Sequence, residues 1–243
     1  MQVGGSNGAQ RGGKGSNWEG GVHEPAVWGG GLIPPGRRGA SLPRASAGAF
    51  AIADAHATFL ARAGLSLTDP NPRAPAPVDG VDVWGWVMGG PTMSPRIVKG
   101  LPLDHLNFNN LTGAYIKGDL KLIVGGEGGE LQAGWFGGPP LYFTPNASVP
   151  VPPINQSACK SSVAPGGCLF NLTADPYEHE DIALAAPGLF ASMMADFLAL
   201  NASYHPPLIV PASEEAEACA VAWLPENNNT IAPWRAEPYP QDM

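Results

Sequence analysis

Apolar residues along this chain fall into short blocks separated by stretches of glycine and proline, and the spacing inside each block predicts its element. Pro187 to Leu200 carries Leu189, Phe190, Met193, Met194, Phe197 and Leu198 at intervals that make one apolar helical face. The methionine pair reads as core packing. Ala45 to Ala63 is Ala-rich, with Phe50, Phe59 and Leu60, and predicts a second helix with Gly64 as its C′ residue. Ala114 to Lys117 and Leu120 to Val124 flank Gly118-Asp119, which predicts a hairpin; glycine at the first turn position suits type II′. Val22 to Trp28 and Leu169 to Thr173 read as strands, and Val81 to Met88 as a short helix carrying Trp84 and Trp86. Residues 1–21, 29–43, 68–77 and 125–168 are loops, the last of a length that is uncommon unless functional or disordered. The order suggests the end of an α/β unit, then a small antiparallel sheet covered by one helix.

Composition sharpens this picture. Gly 32 and Pro 27 make up about a quarter of 243 residues without a collagen-like period. Yet 44% of the residues are hydrophobic, 7 are Trp and only 14% are charged, enough apolar surface to bury a core. A net charge of -8 argues against a nucleic-acid partner, which needs clustered Lys and Arg. No apolar run is long enough to predict a membrane span.

Asn-x-Ser/Thr occurs at Asn110, Asn146, Asn155, Asn171, Asn201 and Asn228, where chance predicts about one. These glycosylation signals suggest the secretory pathway, extracellular or lysosomal. Met1 to Gly5 has neither a basic nor an apolar leader segment, so an N-terminal portion is expected upstream. Cys159 and Cys168 flank a short loop and could close a ring stabilising by roughly 2–3 kcal/mol. Cys219 then needs a partner elsewhere, stays a buried thiol, or pairs differently among the three.

The densest segment is Arg11-Gly12-Gly13-Lys14-Gly15-Ser16-Asn17-Trp18-Glu19-Gly20-Gly21-Val22. A phosphate-binding reading from Gly8 to Lys14 fails, because Gly15 stands where Ser or Thr is needed and no apolar strand precedes it. The segment resembles instead the R-G-x-K-x-x-x-W/F-E-G-G-V block of the formylglycine-dependent sulfatases, the arylsulfatase B-like group. Further matches follow in the family's order. Ile52 to Leu60 with Ala63-Gly64 resembles its "isDwyaTf…aG" helix, Asp79 to Trp84 its "DGvdvw", and Ser94-Pro95-Arg96 its "sPR". Gly118 to Leu122 resembles "GdyKL", and Leu169 to Glu178 resembles "LfdlxxDPxE".

The resemblance implies the C-terminal part of an alkaline-phosphatase-like α/β sulfatase fold. Residues 1–98 would belong to the catalytic α/β domain, 99–205 to a small antiparallel subdomain with a closing helix, and 206–243 to an irregular tail. It implies a sulfuric ester hydrolase acting on a sulfated small molecule or sulfated carbohydrate, with calcium orienting nucleophile and sulfate. Lys14 matches the family lysine that contacts sulfate, a point charge on a flexible stem. Arg11 is expected behind it, and Glu19 is expected to fix the loop through backbone hydrogen bonds, with Gly20 and Gly21 allowing tight turns. His23 stands where the family commonly has Arg.

No Cys or Ser sits in the C/S-x-P-x-R context that the nucleophile requires; Ser41-Leu42-Pro43-Arg44 has its arginine one position early. The family's calcium ligands are absent too. The chain alone is therefore expected to be inactive and to need a missing N-terminal catalytic portion. A non-catalytic secreted glycoprotein or carbohydrate-binding remnant is the alternative. The run Tyr177-Glu178-His179-Glu180-Asp181 reads as a polar helix start rather than a metal site. Trp135, Phe136, Tyr142 and Phe143 would either line a cleft or plug the core.

Overall fold

The computed structural model describes residues 7–13, 16–42, 49–68, 79–91, 93–103, 113–124 and 166–201. The chain divides into units Met1–Tyr204 and His205–Met243, and every described residue lies in the first. In chain order the described elements are α1 (Glu19–Val22), a 3-10 turn (Pro35–Arg37), α2 (Ile52–Arg62), α3 (Trp84–Val87) and α4 (Pro95–Lys99). Then come β1 (Leu101–Leu103), β2 (Gly113–Lys117), β3 (Leu120–Val124), β4 (Gly167–Asn171) and α5 (Pro187–Asn201).

The strands form one sheet in the order β1-β2-β3-β4, every neighbour antiparallel. Lys117 pairs with Leu120 across Gly118-Asp119, and only the glycine of the two has a positive φ, +57°. Those are the φ signs of a type II′ turn, as the spacing predicts. Side chains alternate strictly. Tyr115, Leu122, Val124 and Leu169 point to the face covered by Phe190, Met193, Met194 and Phe197 of α5. Ala114, Ile116, Ile123 and Phe170 point to the other face, which is buried too, under Trp18 and Ile97. A sheet covered by one helix was expected; the second cover is the 16–22 segment with α4. Residues on either side of position 98, Ile97 and Leu101 among them, share this cluster.

Helix α2 starts later than the Ala-rich pattern suggests. Ala51 is extended, and Asp54 Oδ2 accepts from its N–H at 2.7 Å, which defines the first turn. The other end behaves as predicted. Leu65 N–H bonds to Leu60 O at 2.9 Å and Gly64 N–H to Ala61 O at 3.2 Å, a Schellman closure with Gly64 at φ +70°. Strand β4 is shifted by two residues from the expected Leu169 to Thr173: Asn171 is its last paired residue, and its Oδ1 accepts from Thr173 N–H in the turn that follows.

Val22 to Trp28 is not a strand. Val22 closes α1, residues 23–27 are exposed, and Pro25 has no N–H to give a ladder. Trp28 packs instead on Phe50 and Phe59 at ring distances of 5.5 and 5.6 Å, beside a small core of Val83, Trp86 and Val87.

Candidate functional site

The segment from Asn7 to His23 is folded onto itself. Gly20 N–H donates to Arg11 O at 2.7 Å, and Ser16 Oγ donates to Gly13 O at 2.7 Å. The α1 backbone approaches so closely that a Cβ on Gly20 would sit 2.6 Å from both Arg11 O and Gly12 O. One on Gly21 would strike the Ser16 carbonyl and lie 2.6 Å from Gly13 O. Both glycines are helical, so close backbone approach is what demands them, not a tight turn. Lys14, the expected sulfate contact, lies outside the described residues, between Gly13 and Ser16, whose mutual hydrogen bonds are described.

Beneath this loop sits a buried ionic cluster. Lys121 of β3 is on the sheet face that carries Ile123, and it is fully buried. Its Nζ lies 2.7 Å from Glu19 Oε1 and 2.8 Å from Glu178 Oε1. The second contact is an ion pair without hydrogen-bond alignment. Glu178 Oε2 accepts from the Glu19 backbone N–H at 2.8 Å, and Glu178 O accepts from Arg11 Nη1 at 3.1 Å. Arg11 also stacks its guanidinium 3.6 Å over the ring of buried Trp18, which meets Phe170 edge-on at 5.6 Å. Two cations and two carboxylates thus close on one another, net neutral, as a buried group of charges must. Glu178 holds a left-handed φ of +59°, uncommon for a residue with a Cβ and costing roughly 1–2 kcal/mol. Its bonds to Glu19, Lys121 and Arg11 hold it there.

The electrostatics follow from this packing. Burial pushes the Glu19 carboxyl up, but Lys121 and then His23 outweigh it and hold it at about 2. Burial, with the Glu19 charge adding to it, raises Glu178 against the pull of Lys121. Lys121 is raised: burial works against its charge, and the two carboxylates more than compensate. Burial pulls Arg11 down to about 10 against Glu178, Asp175 and Asp181. The hydrogen bond that His23 donates to the Glu19 carboxylate raises His23. Arg11 was expected in a supporting role, and its partners are Trp18 and Glu178. Among the described residues the Glu19 carboxylate meets Lys121 and His23.

A second buried group joins the other quoted segments. Arg96 Nε lies 3.0 and 2.9 Å from the two Asp54 oxygens, and its Nη2 also bonds Asp54 and reaches Asp79 O at 2.6 Å. Asp54 Oδ1 further accepts from Val81 N–H at 2.8 Å, and Thr58 Oγ1 accepts from Val83 N–H at 3.0 Å. Ser94 caps α4 by accepting from Arg96 N–H at 3.2 Å. The six quoted segments therefore meet in two buried polar groups. One joins Arg11 and Glu19 to Lys121 and Glu178; the other joins Asp54 and Thr58 to the 79–83 and 94–96 segments.

Lys121 and Glu178 were not singled out from sequence as site residues. Period two supplied a signal for Lys121: it shares a face with Ile123, so its charge had to find carboxylates. For Glu178 the local pattern misled. The run from Tyr177 to Asp181 is no helix start, since α5 begins at Pro187. Asp175 Oδ2 accepts from Glu180 N–H at 2.8 Å, Asp181 Oδ1 accepts from Leu169 and Ala183 N–H at 2.9 Å, and Glu178 turns inward.

Among the described residues no group of three or more His, Cys, Asp or Glu side chains is arranged to hold a metal ion. The carboxylates of the first group are engaged by Lys121, His23 and an N–H, so these residues do not fit the calcium expected from the resemblance. Cys168 is disulfide-bonded, to a partner outside the described residues; Cys159 lies outside them as well. Asn171 ends β4, and its Oδ1 accepts from Thr173 and Ala174 N–H at 3.1 Å; Asn201 closes α5. Asn110, Asn146, Asn155 and Asn228, and the aromatics Trp135, Phe136, Tyr142 and Phe143, lie outside the described residues. No helix among the described residues is long and apolar enough to cross a membrane.

No protein-family model matches the chain. Its backbone overlaps in part with a solved Bacteroides thetaiotaomicron structure, described within a core genetic locus for metabolism of multiple glycosaminoglycans, whose designation ends in 6S-sulf. The TM-score is 0.39 at 18% identity, over 61% of this chain and 24% of that one. The chain thus spans about a quarter of that protein's length.

Proposed function

We propose that this chain carries the sulfate-facing loop and small C-terminal subdomain of a sulfuric ester hydrolase of the alkaline-phosphatase-like fold. The reading is supported by the meeting of the six quoted segments in two buried groups. Segments matched by chance have no reason to bring charges that complete one another. Here Glu19 meets Lys121 across 102 positions and Arg96 meets Asp54 across 42.

In this reading Lys14 is the anion contact. An ammonium beside a sulfate ester stabilises charge developing on its oxygens as the ester bond breaks. Arg11, Glu19, Lys121 and Glu178 support the loop from below. The nucleophile comes from a C/S-x-P-x-R context that these 243 residues do not contain, so the chain by itself binds sulfate without turning it over. Calcium held by ligands outside these 243 residues, a sulfated small molecule or carbohydrate as substrate, and passage through the secretory pathway belong to the same proposal.

Titration of the chain with inorganic sulfate, followed by amide NMR, tests it. Amides of Arg11 to Val22 shift, and Lys14→Ala abolishes the response. An unresponsive loop at tens of millimolar sulfate, or an unchanged response in Lys14→Ala, overturns the anion-site reading. Hydrolysis of an aryl sulfate by the purified chain would overturn the assignment of the nucleophile.

A further inference from the structure

One imidazole nitrogen closes the loop at both of its ends. His23 Nδ1 lies 2.7 Å from Gln10 Nε2 and 3.3 Å from Glu19 Oε2. It cannot serve both partners in one protonation state. A neutral ring with its proton on Nε2 offers a lone pair at Nδ1, which accepts from the Gln10 amide. An imidazolium carries a proton at Nδ1, which donates to the carboxylate and has nothing to accept from an amide N–H. The charge-assisted bond is the stronger of the two. Glu19 is also the fixed partner, because its other oxygen is held by buried Lys121. Gln10 is half-buried and joined to the loop's start, so it is the group that lets go. The His23 side chain is 52% exposed, so protons reach it from solvent.

We propose that His23 is a proton-operated latch on this loop. Neutral, it ties the loop's start through Gln10; protonated, it releases Gln10 and clamps onto Glu19. Among the described residues the charged groups facing the ring are Glu19 on its own turn, Glu24 beside it in the chain and Lys121 from β3, two anions against one cation. The balance favours the clamped state. The consequence for the anion site rests on the reading above: the latched loop bears Lys14, which makes His23 a positioning residue whose proton tunes sulfate affinity.

The test is an NMR titration of the whole chain between about pH 5 and 8, following the His23 ring nitrogens and the Gln10 carboxamide. The Gln10 resonances move with the His23 midpoint. Gln10→Ala, which removes the partner of the neutral ring, raises that midpoint, and Glu19→Gln lowers it, each by about half a pH unit or more. A Gln10 carboxamide that stays flat through the His23 titration overturns the latch, and so do variants that shift the midpoint the same way. Should Glu19→Gln fail to fold, Gln10→Ala decides alone: a midpoint unchanged or lowered sinks it. A second arm titrates inorganic sulfate above and below the midpoint; affinity changes by about threefold or more in the natural chain and not in His23→Phe. If sulfate binds at neither pH while Gln10 still follows His23, the latch stands and the anion-site reading fails.

Discussion

Lys121 and Glu19 meet at 2.7 Å across 102 positions of sequence, a strand lysine with no solvent exposure and a carboxylate from the turn that packs over the sheet. The pair ties the loop at the start of the described chain to the centre of the sheet. Glu178 completes it from the far end of the described residues, so three distant stretches are held by one ammonium.

Removing that ammonium leaves two buried carboxylates without the cation they share, Glu19 keeping only His23 and Glu178 only the nearby Arg11. Lys121→Met is expected to destabilise the chain by about 3–5 kcal/mol, read as a lowered urea midpoint. Adding Glu19→Gln and Glu178→Gln to Lys121→Met should recover much of the loss, since the uncompensated charges then go too. If the single substitution is harmless, the cluster does not hold the loop.

Acid should weaken the fold through Glu19. Its folded value, about 2, lies below the ordinary 4.5. The stability it contributes, about 3 kcal/mol, is present above pH 4.5 and is lost as pH falls toward 2. Glu178 is raised and acts with the opposite sign: it favours the protonated fold and costs stability as pH rises above 4.5. Glu178→Gln should therefore steepen the acid-side loss, and Glu19→Gln should flatten it, in unfolding free energies measured from pH 2 to 7. A slope that Glu19→Gln leaves unchanged would contradict the assignment.

The two glycines of the turn give a steric prediction. Gly20→Ala drives a Cβ against two carbonyl oxygens at 2.6 Å and should destabilise by about 1–3 kcal/mol. Gly29→Ala meets nothing within 4 Å and should stay within about 0.5 kcal/mol of the natural chain. Equal midpoints for the two variants would mean that α1 does not pack against Arg11 and Gly12 as described.

Arg96 is the planar fork at the centre of the second group. Arg96→Lys keeps the charge but cannot reach both Asp54 oxygens and Asp79 O together, so a loss of about 2–3 kcal/mol in chemical denaturation is expected. A lysine tolerated without cost would show that the bidentate geometry carries no stability.

Local pattern carried much of the fold. The 3.6-residue period over 187–200 made α5 legible, because a helix that packs on one sheet face needs one apolar stripe. Gly64 and Gly118 marked their turns, since each has the positive φ that the motif requires. Val22 to Trp28 misled because an apolar run is compatible with a strand only if a partner ladder exists, and pairing is not a local property.

By itself the sequence determined which segments could be elements and where several of their turns fall. Tertiary structure decided that Lys121 is buried rather than solvated, that Glu178 turns inward, and that His23 faces Gln10 and Glu19 at once. The physical reason is that a buried charge is tolerated only where opposite charges surround it, and those charges come from stretches of chain that only folding brings together.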